Sequence, residues 1–136
     1  MPSRVELGGR VLECLSAPGH HEAAVTFYDP YTGFLLTGDT VSPGRLHVGD
    51  WPAFTPRIEK SIAFCETRPV AYVLGCHIEM TRRPGVDYPI RTTYQPDEPP
   101  LQMTVGHCAM SGRRSTRSEN GRAGTRSRTS SLPLPG

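Results

Sequence analysis

The sequence predicts a layered α+β domain, with one mostly antiparallel sheet, one main helix and a disordered C-terminal tail. Three observations carry this. Residues 5–15 alternate apolar and polar side chains around Gly8-Gly9, the pattern of a hairpin with a two-residue turn. Phe54, Ile58, Ile62 and Cys65 recur at helical spacing, and a continuous apolar run follows at residues 70–74. Near Ser111 the composition then changes abruptly to Arg, Ser and Gly.

Taken in order, residues 5–7 and 11–15 form the hairpin strands. Ala17-Pro18-Gly19-His20-His21 must then break the second strand, because proline lacks a ladder donor and glycine permits the turn. Residues 23–28 resume strand character. Asp29-Pro30-Tyr31-Thr32-Gly33 reads as a turn, and residues 34–37 as a short apolar strand ending at Gly38-Asp39. Strands joined so tightly pair antiparallel, which brings the chain ends flanking His21 and Asp39 to one edge of the sheet. Residues 41–49 read as a loop.

A helix follows, with Asp50 as N-cap and Pro52 in the first turn, where its missing N–H costs nothing. Arg68-Pro69 stops it. The run at residues 70–74 has the continuous apolar character of a strand buried in an α/β layer, and Gly75-Cys76-His77 ends it. Beyond Glu79, the prolines at 84, 89, 96, 99 and 100 mark a long loop, and residues 101–105 open a helix whose pattern then stops.

The chain divides into a domain at residues 1–107 and a tail at 108–136. From Ser111 onward, six arginines face the single carboxylate of Glu119, and Leu132 and Leu134 are the only large apolar residues. So polar a segment buries too little apolar surface to offset its ordering entropy. Its lack of interleaved aromatics argues for a solvated tail over a nucleic-acid-binding one. Cys14, Cys65, Cys76 and Cys108 contain no C-x-x-C pair, and no apolar run approaches the length of a membrane span. A cytoplasmic protein with reduced thiols is expected.

The chemistry gathers at three strand ends. His20, Asp39 and His77 offer two imidazoles and a carboxylate, a set that suits zinc, manganese or iron and leaves coordination positions open. Taken singly, a glycine-aspartate turn and a loop histidine are ordinary. Cys76 reads as inert packing at the end of a buried strand, and Glu79 as an exposed loop carboxylate. Trp51, Phe54, Tyr88 and Tyr94 read as core or loop anchors.

Together, the segments SAPGHHEAAVTFYDPYTGFLLTGDTV and VLGCHIEM, with a helix between them, resemble the C-terminal half of the metallo-β-lactamase superfamily of metal-dependent hydrolases. The likeness covers about residues 5–105. It implies half of an αββα sandwich and one or two divalent metals, zinc first, which activate a water to attack an ester, thioester, lactam or phosphodiester. His20 matches the ligand of the first metal, Asp39 the bridging and catalytic carboxylate, and His77 the ligand of the second. His21 stands where the family has a small or hydroxylated residue and is not a ligand.

The departure from the family is large. Its H-x-H-x-D-H motif supplies four further ligands and the group that orients the attacking water, and none of the five histidines here forms an H-x-H. The resemblance therefore implies a truncated form in which each metal keeps two protein ligands and is weakly bound when the chain is alone. The inner sheet face would lie uncovered, an apolar surface open to a homo- or hetero-oligomeric partner. A small-molecule substrate is expected if the missing half completes the site. The alternative is a non-catalytic half-domain that associates with another chain.

Overall fold

The structure, a computed structural model, describes residues 3–17, 23–47, 51–107, 109 and 129–131. It opens with the expected hairpin, β1 (Ser3–Glu6) against β2 (Val11–Ser16). Val5 stands opposite Leu12. Gly8 takes the left-handed φ of +71° that the turn requires, and the Leu7 amide donates to Arg10 O at 2.7 Å.

β2 pairs antiparallel with β3 (Val25–Asp29), and β3 with β4 (Phe34–Gly38). Asp29 organises the turn between β3 and β4. Its carboxylate accepts the Tyr31 amide at 3.1 Å, the Thr32 hydroxyl at 2.6 Å and the guanidinium of Arg10. The Arg10 hydrogen bond, the largest of these influences, holds the Asp29 carboxyl down at about 2. Gly33, at φ +72°, closes the turn with its amide on Asp29 O.

From β4 the chain crosses over through α1 (Trp51–Glu66) and returns as β6 (Tyr72–Gly75), parallel to β4. A parallel neighbour needs such a long connection. Asp50, the expected N-cap, lies outside the described residues. The six-stranded sheet has the order β1-β2-β3-β4-β6-β7, with β7 (Gln102–Met103) antiparallel to β6. The parallel pair β4/β6 is its one break in antiparallel pairing.

Two segments differ from the sequence expectation. The loop at residues 41–49 contains a short strand, β5 (Arg45–His47), which pairs with β8 (Thr129–Ser131). A three-residue strand whose partner lies so far along the chain leaves no local signal. At residues 101–105, β7 forms first and helical turns begin only at residue 105, because Met103 pairs with Val73 and buries its side chain in the core.

One face of the sheet packs against α1. Tyr28, Leu35, Val41, Phe54, Ile58, Cys65, Val73 and Met103 form the core there, with Ile62, Phe64, Val70 and Val105 at its margin. The helical face expected at Phe54, Ile58, Ile62 and Cys65 is the face that is buried. Tyr28 meets Phe64 edge-on, with ring centroids 5.3 Å apart. Full burial of a side chain such as Ile58 contributes about 1.5–3 kcal/mol.

The strand period places the remaining apolar residues on the other face. Cys14, Phe27, Leu36 and Leu74 are cross-strand partners in succession, flanked by Val5 with Leu12 and by Phe34 with Tyr72. Val5, Val25, Leu36 and Tyr72 are exposed. The apolar run at residues 70–74 is therefore covered on its α1 side alone, with Val73 inside and Tyr72 outside. No helix among the described residues is long and apolar enough to cross a membrane.

Candidate metal centre

Asp39 and His77 follow the carboxyl ends of adjacent parallel strands, the place where α/β sheets hold ligands. Two close backbone approaches bring them together. A Cβ on Gly75 would lie 2.8 Å from Val41 O and 2.9 Å from Ser42 Cβ, and one on Gly44 would lie 1.9 Å from Ile78 O. Only glycine lets the chain after β4 lie so tightly on the chain after β6. The Thr37 hydroxyl adds a tie, 2.7 Å from Val41 O and 3.1 Å from Leu74 O.

In the resulting cleft, Asp39 Oδ1 lies 2.7 Å from His77 Nε2. The Cys76 thiol donates to the same oxygen, also at 2.7 Å. Donor atoms of all three side chains fall within 4.8 Å of one another, a group able to hold one metal ion. His77 Nδ1 is enclosed without a hydrogen-bond partner, and Glu79 Oε2 stands 4.0 Å from it. Glu79 itself holds a left-handed φ of +57°. Both Asp39 and His77 keep about a third of their side-chain surface open to solvent, so the site is reachable (39% and 32%).

A cavity of about 360 Å³ lies against Glu79, lined also by Tyr88, Ile90, Arg91, Thr92 and Gln95 but by none of Asp39, Cys76 and His77. Glu79 thus belongs both to the cavity wall and to the surroundings of His77. Of the aromatic residues considered in the sequence, Phe54 is core, Tyr88 lines this cavity and Tyr94 is exposed.

No protein-family model and no curated protein matches this chain. Solved structures do. A metallo-β-lactamase family protein from Thermus thermophilus superposes with a TM-score of 0.56 at 17% identity, covering 85% of this chain and 34% of its own. An archaeal metallo-β-lactamase superfamily protein from Sulfolobus tokodaii gives 0.55 at 12%, covering 91% and 41%. A metallo-β-lactamase from Pontibacter korlensis gives 0.53 at 14%, covering 85% and 46%. The chain has part of the metallo-β-lactamase fold.

It spans less than half the length of each of these proteins. One mostly antiparallel sheet with α1 on one face is half of the metallo-β-lactamase αββα sandwich, as the sequence resemblance implies. Of the three expected ligands, the structure brings Asp39 and His77 together, and His20 lies outside the described residues. The backbone leading towards it is placed: Ala17 N donates to Ala24 O at 2.8 Å, and the Thr40 hydroxyl donates to Ala17 O at 3.4 Å.

Cys76 corrects the sequence reading. It is not packed in the core but exposed, hydrogen-bonded to Asp39. Desolvation of its sulfur, with the Asp39 carboxylate second, pushes the thiol up to about 11. The ladder ends at Gly75, so the strict alternation of a strand no longer sends residues 76 and 77 to opposite faces. The adjacency of cysteine and histidine is the signal the sequence offers for this.

Proposed function

We propose that this chain carries one side of a metal-dependent hydrolase site, in which Asp39 and His77 hold a divalent ion, zinc first, and Asp39 bridges to another ion that His20 ligates. The observation that carries the reading is the 2.7 Å approach of Asp39 Oδ1 to His77 Nε2 at the ends of β4 and β6. The donors fit such an ion in kind: a carboxylate and an imidazole that face each other through Oδ1 and Nε2, on side chains both partly open to solvent. When bound, the ion supplies Lewis-acid polarisation of a substrate oxygen and acidifies a water. Asp39, partly exposed and aimed into the cleft, orients the reacting groups as the catalytic carboxylate. The substrate class is a small ester, thioester, lactam or phosphodiester.

The test is zinc content after dialysis, together with hydrolysis of generic ester and lactam substrates. Retained zinc and turnover that Asp39→Ala abolishes are expected once the first motif's ligands are supplied by a complementary chain. Undiminished turnover by Asp39→Ala would overturn the reading.

A second reading rests on a separate observation, the exposed row of Val5, Val25, Leu36 and Tyr72 on the sheet face opposite α1. In that reading the chain is a half-domain that pairs with another chain through this face, with or without catalysis. Light scattering that finds a folded monomer at micromolar concentration would contradict it.

A further inference from the structure

We propose that Cys76 is a third ligand of the ion held by Asp39 and His77, and that its sulfur makes the site selective for zinc over magnesium or manganese. The inference rests on the metal-site reading above and deepens it by adding a ligand that sets the metal preference.

The geometry separates Cys76 from the other described thiols. Cys65 is in the core under α1, and Cys14 lies in the apolar row of the open sheet face. Cys76 alone among these three has its sulfur in the cleft, on the same carboxylate oxygen that His77 approaches. Three donors of different kinds converge there, and their spread within 4.8 Å suits one ion with bonds of about 2.0–2.3 Å. The convergence follows from the chain path. Gly75 ends the ladder against Val41 O, and residues 76 and 77 then both turn towards Asp39.

Sulfur changes what such a site selects. A carboxylate with an imidazole also admits manganese or iron, whereas a thiolate favours softer and borderline ions and widens the preference for zinc. On binding, the Cys76 S–H bond breaks, its electron pair forms the sulfur–metal bond and the proton leaves to solvent. No oxidant or reductant takes part. The hydrogen bond that Cys76 donates to Asp39 is lost in the exchange, leaving Oδ1 to the ion.

The test is cobalt(II) titration of the full chain under anaerobic, reducing conditions. The wild type should show visible ligand-field bands and a near-ultraviolet thiolate-to-cobalt charge-transfer band. Cys76→Ser, which keeps a hydroxyl donor for Asp39, should retain the visible bands and lose the near-ultraviolet one, and Cys14→Ser should retain both. Zinc should displace the cobalt and magnesium should not.

Visible bands without charge transfer in the wild type, with Asp39→Asn removing them, would overturn the role of Cys76 and leave the metal-site reading standing. Absence of all cobalt bands would overturn both. Charge transfer without hydrolysis in the completed site would overturn the hydrolase reading alone. Should Cys76→Ser fail to fold, alkylation of the wild type mapped by mass spectrometry decides the matter. Zinc should slow labelling of Cys76 by about tenfold or more, and equal rates with and without zinc would refute the proposal.

Discussion

Asp39 Oδ1 and His77 Nε2 lie 2.7 Å apart because two parallel strands, separated in sequence by the whole of α1, end side by side. The pairing of β4 with β6 sets the distance, and the glycines beyond the strands set the fine fit. Changes in those backbone contacts should therefore act on the site without touching a ligand.

Gly75→Ala tests this. The new Cβ would meet backbone and side-chain atoms of Val41 and Ser42 at 2.8–3.0 Å, none of them the end of a flexible side chain. Overpacking of this kind costs about 1–3 kcal/mol. Urea denaturation should show that loss, and zinc titration should show weakened binding in the folded fraction.

The turn between β3 and β4 gives a pH signature. Asp29 is depressed from 3.8 to about 2, chiefly by its hydrogen bond from Arg10. A carboxyl with a lowered folded-state pKa adds stability above its unfolded pKa and loses it as pH falls through the folded value. Its contribution is therefore complete above about pH 4 and fades towards pH 2. Urea midpoints measured across that range should fall more steeply for the wild type than for Asp29→Asn.

Ile58 is fully buried where α1 meets the sheet. Ile58→Ala should cost about 2–5 kcal/mol by chemical denaturation, the range for a large core aliphatic replaced by alanine. Ile58 belongs to the core cluster and not to the Asp39, Cys76 and His77 donor group, so zinc affinity of the folded variant should match the wild type.

On the opposite face, Leu36 stands between Phe27 and Leu74 and is exposed. Leu36→Lys places a charge in the middle of the apolar row. If this face binds another copy or a partner chain, light scattering should show a shift to monomer, while circular dichroism shows the fold retained.

Much of this architecture is legible in the residues. The hairpin around Gly8-Gly9, the Asp29–Gly33 turn and the buried stripe of α1 each follow from local chemistry, and each stands where expected. Asp39 and His77 are legible as a pair only through the resemblance, since nothing local ties the end of β4 to the end of β6. β5 and β8 escape because a three-residue strand is defined by a distant partner. β7 escapes because Met103 takes a core position on a segment whose composition suits a helix start. The exposure of Cys76 is hidden because an apolar run suggests burial on both faces, whereas the ladder stops one residue earlier.

Isothermal titration of zinc into the full chain, beside Asp39→Ala and His77→Ala, tests the central claim most directly. A zinc site present in the wild type and lost or strongly weakened in both variants, with their folds intact, is the predicted result. Zinc binding that survives both substitutions unchanged would contradict the assignment of this cleft as the metal centre.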